Sequence, residues 1–186
     1  VRHTDSTTPA PTLPSAAGYR FALIVSRFNQ PITDALREGA RAALAEASVR
    51  PDEIEEMDVP GAFELPQAAR YAAGTGRFDA VITLGCVIRG ATPHFEYISS
   101  AVAQGIMDAA GQTGVPVAFG VLTTDSQAQA EERAGPGRAN KGWEAAAAGI
   151  EMAVLFRRLG RTPARAADAP RPFGFAPRST QRGTEP

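Results

Sequence analysis

The sequence predicts an α/β fold, a three-layer α-β-α sandwich on a four-stranded, mostly parallel sheet in the order βαβαβαβαα. Three observations predict it. Apolar runs of strand length recur at Phe21–Ser26, Ala80–Ile88 and Val117–Leu122. Segments with helical spacing of apolar residues lie between them. The connections are short, and such alternation implies right-handed crossovers with helices on both faces of the sheet.

Phe21–Ser26 reads FALIVS, a strand apolar on both faces. Ile32, Ala35, Leu36, Gly39, Ala40, Ala43, Leu44 and Ala47 follow the i, i+3, i+4, i+7 pattern of an amphipathic helix. Ile54–Val59 is a weaker strand ending at the Pro60-Gly61 turn. Glu64–Ala73 reads as a helix with Pro66 in its first turn, where a missing N–H costs nothing. After the strand Ala80–Ile88, Thr92-Pro93 reads as an N-cap and N1 pair opening a helix to about Ala110. Beyond Val117–Leu122, Thr124-Asp125-Ser126-Gln127 has the form of a capping box for a short helix to Arg133. Asn140 caps the last helix, which runs to about Leu159. Four strands are few, so an edge or a helix face should meet a second copy of the chain.

The folded part is expected over residues 18–160. Residues 1–17 read as a flexible arm without the apolar core of a secretory signal. Residues 161–186 read as a disordered tail, with five arginines and five prolines against Asp168 and Glu185. Only Phe173 and Phe175 could anchor it. The 186 residues are 44% apolar, enough for a real core, and the net charge of −1 gives no electrostatic reason to expect nucleic acid. No stretch approaches the roughly 18 apolar residues of a membrane span. One cysteine excludes a disulfide framework and a multi-thiolate zinc site, and two histidines speak against a histidine-rich metal centre. A protein of a reducing compartment, the cytoplasm, is expected.

In such sheets ligands bind beyond the carboxyl ends of the strands. The four strands lead in turn into Arg27-Phe28-Asn29, Pro60 to Glu64, Arg89 to His94, and Thr123 to Asp125. In the third of these segments, Gly90 permits close approach, and the free N–H groups opening the next helix favour an anion. The same residues would also serve as a plain turn capped by Thr92. His94, in that helix's first turn, either is placed to move a proton at an anion site or is a surface histidine with no role. Phe28 and Phe63 either stack on a flat heterocycle or fold back into the core. Glu64 either accepts from ligand hydroxyls or complements a helix dipole. Cys86 lies inside a strand and reads as a small buried hydrophobe rather than a nucleophile. Gly135-Pro136-Gly137-Arg138 comes after a helix rather than a strand and matches no phosphate-loop pattern. Arg133 and Lys141, which flank it, are candidate partners for an anion or a carbonyl.

Taken together, Ser26 to Asn29, Val59 to Pro66, Gly85 to Tyr97, Phe119 to Thr123, Glu132 to Ala134 and Asn140 to Gly142 closely resemble the lumazine synthase family. These are the 6,7-dimethyl-8-ribityllumazine synthases of riboflavin biosynthesis. The likeness covers about residues 19–158, and the run Arg89-Gly90-Ala91-Thr92-Pro93-His94-Phe95 is its most specific part. The resemblance implies a flavodoxin-like sandwich. It also implies condensation of 5-amino-6-(D-ribitylamino)uracil with 3,4-dihydroxy-2-butanone 4-phosphate, releasing phosphate and water without a metal or redox cofactor. By the same resemblance Phe28 stacks on the pyrimidine, Ala62, Phe63 and Glu64 hold the ribityl-bearing substrate, and Cys86, Val87 and Ile88 line the ring pocket. Ala91 and Thr92 offer N–H groups to the phosphate with Arg133 as its cation, and His94 transfers protons. Phe119, Arg133 and Lys141 arrive from a neighbouring subunit of a homopentamer.

Some members of the family stop at pentamers and others join twelve into an icosahedral shell. The short loop at 135–139 lacks the insertion of the pentamer-only members and favours the shell, while Pro9, Pro11 and Pro14 hinder an added N-terminal strand. A riboflavin synthase is a further expected partner. Rival classes are a heterocycle-binding module without catalysis and a shell protein without chemistry. A pure heterocycle binder needs no phosphate site, and Arg89–His94 with Arg133 supply one.

Overall fold

The computed structural model describes residues 12–161. Nine regular elements alternate as expected: β1 (Phe21–Ser26), α1 (Gln30–Glu46), β2 (Ile54–Val59), α2 (Leu65–Gly74), β3 (Ala80–Ile88), α3 (His94–Thr113), β4 (Val117–Thr124), α4 (Gln127–Arg133) and α5 (Lys141–Arg158). Single 3-10 turns at Pro51–Glu53 and Ala62–Glu64 precede β2 and α2. All three strand pairings are parallel, in the order β2-β1-β3-β4. Of the expected tail 161–186, Arg161 is bound to the fold, its N–H donating to the Phe156 carbonyl at 2.9 Å and its Nη2 to the Phe78 carbonyl at 3.1 Å. Residues 162–186, with Phe173 and Phe175, lie outside the described residues, as do residues 1–11 of the arm. The arm's remaining residues, 12–17, are packed rather than free. Ala16 is fully buried, its N–H donates to the Ala47 carbonyl at 2.8 Å, and Leu13 packs against the core.

Alternate residues of the central strands fill two cores, because successive side chains of a strand point to opposite faces. Phe21, Leu23 and Val25 of β1 pack with Leu36, Leu44 and Ile150, on the side covered by α1 and α5. Ala22 and Ile24 pack with Leu65, Val102 and Ile106, under α2 and α3. The helices come close where side chains are small. A methyl group on Gly142 would sit 1.9 Å from the Leu36 carbonyl oxygen, and one on Gly39 would sit 2.2 Å from Asn140 Oδ1.

At the amino end of the sheet Asp79 is fully buried, yet all its charge is answered. It accepts from Arg157 Nε at 2.6 Å, Arg157 Nη2 at 2.8 Å and the Arg20 N–H at 2.8 Å. The Arg157 guanidinium also lies 3.8 Å from the centre of the Tyr19 ring. This fork ties the end of α5 to the starts of β1 and β3, leaving the opposite pole of the sheet for the site.

Three helix starts differ from expectation. Pro93, not Thr92, holds the N-cap of α3, and no side chain caps that helix. The helix also continues past Ala110 to Thr113, where Gly114 in the left-handed region ends it. The cap of α4 is Ser126, accepting from the Gln129 N–H, while Gln129 Oε1 accepts from the Asp125 N–H; the box is displaced by two residues. Glu64 lies just before α2 rather than inside it. Asn140 does cap α5, accepting from the N–H groups of Gly142 and Trp143.

Candidate active site

The carboxyl ends of the strands bring most of the expected residues to one rim. Ser26 pairs with Val59, and the Arg27 N–H extends that ladder to the Val59 carbonyl at 2.8 Å. Ile88 pairs with Thr124, and the Arg89 N–H continues to the Thr124 carbonyl at 2.8 Å. The loops after β1 and β2 therefore begin at one level, and those after β3 and β4 begin about 10 Å further on, because Val25 pairs with Leu84 and β3 runs on to Ile88.

Phe28 is 70% exposed and Phe63 is 59% exposed, so neither folds back into the core. What holds Phe28 in place is its neighbour Asn29. That residue has φ of 60°, in the left-handed region that asparagine tolerates, and its Nδ2 donates to the Cys86 carbonyl at 3.0 Å. No sequence pattern assigns Asn29 this role, and its only local mark is the tolerance of asparagine for that conformation. Ala62 is buried beneath the second loop. Glu64 Oε2 accepts from the Gly61 N–H at 2.9 Å, which closes the turn on itself and answers the choice left open for this carboxylate in part. A carboxylate has lone pairs for several further donors.

On β3, Cys86 is 2% exposed, while Val87 and Ile88 are half-buried and face opposite layers. Burial pushes the Cys86 thiol up to about 11, against a smaller lowering by Asn29. It is a packing residue, as expected. Ala91, Thr92, Pro93 and His94 are all exposed. Since Thr92 does not cap α3, the first N–H groups of that helix are left for another acceptor, and the dipole's positive end faces the loop. His94 is the helix's first residue.

Arg89 heads this loop and is closely engaged. Its Nε donates to Asp125 Oδ1 at 2.7 Å, its Nη1 donates to Glu96, and its guanidinium lies 4.2 Å from the centre of the Phe95 ring. The hydrogen bond from Arg89 holds the Glu96 carboxyl below its usual range.

The remaining three residues stand apart from this rim. Phe119, Arg133 and Lys141 line one open groove with Gly120 to Thr123 along β4. Phe119 pairs with Thr83, which is level with Ile24, so it sits about 7 Å below the end of β1 and about 16 Å below that of β3. Arg133 ends α4, donating to the Gln129 carbonyl at 3.0 Å, and Lys141 opens α5 with its Nζ 2.7 Å from both Glu144 carboxylate oxygens. Nearby, the Arg138 guanidinium lies 5.2 Å from the Trp143 ring centre. A single chain thus carries two candidate half-sites, an aromatic rim beside the uncapped start of α3, and a cationic groove on the edge strand β4.

The profile of the 6,7-dimethyl-8-ribityllumazine synthases matches residues 18–157, which includes both half-sites. The chain belongs to this family. Among curated proteins, one named 6,7-dimethyl-8-ribityllumazine synthase, from Syntrophus aciditrophicus (strain SB), is 54% identical over 144 residues, covering 77% of this chain and 94% of the relative. Lumazine synthases are transferases, and membership places this enzyme in lumazine formation within riboflavin biosynthesis. The four-stranded parallel sheet with helices on both faces is the lumazine synthase fold. Among the described residues no helix is long and apolar enough to cross a membrane.

Proposed function

We propose that the protein condenses 5-amino-6-(D-ribitylamino)uracil with 3,4-dihydroxy-2-butanone 4-phosphate, giving 6,7-dimethyl-8-ribityllumazine, phosphate and water, the penultimate step of riboflavin biosynthesis. One observation carries this reading. Two exposed phenyl rings and a helix start without a side-chain cap stand at the same pole of the sheet, which suits a flat heterocycle beside a phosphate.

In this reading Phe28 stacks on the pyrimidine, and Ala62, Phe63 and Glu64 hold the ribityl chain. Cys86, Val87 and Ile88 form the floor under the ring. Ala91 and Thr92 give N–H groups to the phosphate, and Arg133 neutralises it. Schiff-base formation between the pyrimidine amine and the butanone carbonyl, and then loss of phosphate, both require proton transfer, which His94 supplies. Both substrates are reactive, so holding them in register contributes most of the acceleration. That Phe119, Arg133 and Lys141 line an open groove of their own on the edge strand β4 supports a site completed by a neighbouring copy, within a pentamer that assembles into a shell. A cytoplasmic setting and hand-over of product to a riboflavin synthase belong to the same reading.

The test is to mix the two substrates with the purified protein and follow the absorbance and fluorescence of the lumazine, with native mass measured in parallel. Product formation by an oligomer is expected. Binding of the lumazine without its formation would instead identify a heterocycle-binding module.

A further inference from the structure

The segment from Arg89 to Glu96 is closed by one side chain. Arg89 precedes Gly90, Ala91, Thr92, Pro93 and His94, and its guanidinium reaches past them to Phe95 and Glu96. Its third contact, Asp125, comes from the loop after the neighbouring strand β4. Among the described residues, Gly90, Ala91 and Thr92 make no hydrogen bond of their own that would fix this loop. A planar guanidinium can span two carboxylates and lie flat on a ring at the same time, which an ammonium cannot.

We propose that Arg89 is a positioning residue for the phosphate half of the reaction: by gripping Glu96, Asp125 and Phe95 together it fixes the Gly90–His94 loop in the shape that receives the phosphate. The proposal rests on the phosphate reading of that loop given above. Arg89 acts through the loop rather than as the phosphate's cation, because its Nε and Nη1 are held by two carboxylates whose charge offsets its own. Exposed ion pairs add little to global stability, so the consequence falls on substrate affinity rather than on melting.

The experiment compares the full-length wild-type chain with Arg89→Ala, Arg89→Lys, the pair Glu96→Gln with Asp125→Asn, and the combination of all three positions. The readouts are KM for each substrate, kcat, Tm, and inhibition by inorganic phosphate as a probe of the anion site. Arg89→Ala should raise KM for the butanone phosphate, and weaken phosphate inhibition, by about tenfold, with KM for the pyrimidine and Tm unchanged. Lysine should restore little of this. The carboxylate pair should reproduce the defect, and adding Arg89→Ala to it should change nothing further, as expected when residues act as one unit. Tighter phosphate inhibition in the carboxylate pair would show that a freed Arg89 binds the anion directly, and would overturn the proposal. So would an unchanged KM in Arg89→Ala, or a loss of Tm in which both KM values rise together. Wild-type protein that forms no lumazine would overturn the reaction assignment as well, whereas active wild-type protein with unmoved Arg89 variants would overturn this inference alone.

Discussion

Cys86 and His94 lie eight residues apart, and the fold gives them opposite environments: the thiol is packed inside β3 and the imidazole stands exposed at the start of α3. Burial raises the thiol to about 11, so the neutral form is favoured in the folded protein and the reactive thiolate appears only as pH climbs toward that value. Alkylation of native protein by iodoacetamide at pH 8 should therefore be slow, and should accelerate sharply in denaturant. Mass spectrometry of the labelled protein checks this, and rapid native labelling would contradict it. For His94→Ala, turnover should fall by about one to two orders of magnitude, at the low end for a proton-transfer residue. Complete loss with both substrates still bound would mean that the imidazole does more than move protons. At this scale the sequence showed residue types but not their contacts. Phe28 was legible as a stacking candidate, whereas Asn29, which secures it through a carbonyl 57 positions away, carries no local sign of that bond.

The strands and helices were legible because burial writes a period into the chain. β1, β2 and β3 occupy the expected residues, and α1 follows the apolar spacing that announced it. Helix starts were less legible, because a cap depends on where the preceding chain arrives. Thr92 has the chemistry of a cap but Pro93 takes the position, and that one-residue displacement leaves the start of α3 without a side-chain cap. Close packing between helices was equally hidden. Gly142 reads as an ordinary glycine until α1 is seen to pass against it. Gly142→Ala should destabilise the protein by about 3 kcal/mol, the upper end for overpacking, since its methyl group meets backbone rather than a flexible side chain. A urea midpoint indistinguishable from wild type would show that α1 and α5 separate at little cost.

At the scale of the whole molecule, the proposed division of the site between rim and groove has a direct consequence for assembly. If His94 of one subunit works with Arg133 of the next, neither half-site is sufficient alone. Coexpressing His94→Ala and Arg133→Ala chains in equal amounts should then restore about a quarter of the sites in a random cyclic oligomer, because only one neighbour arrangement in four is intact at both positions. Activity of the mixed particles, compared with each variant alone, measures this. No recovery would place both residues within the same chain's site. From sequence, the two groups are expected to meet across an interface only because of the family pattern. The fold adds a spatial reason for that expectation, since the strand order separates the β4 groove from the loops of β1 and β2 by β3.

Trp143 is the chain's single tryptophan, two positions beyond Lys141 and beneath the Arg138 guanidinium. The enzyme thus carries its own fluorophore on α5, two residues from the groove-lining Lys141. Any event that draws Arg138 off the indole will alter its emission, so movement at the start of α5 can be read optically, without a dye and without turnover.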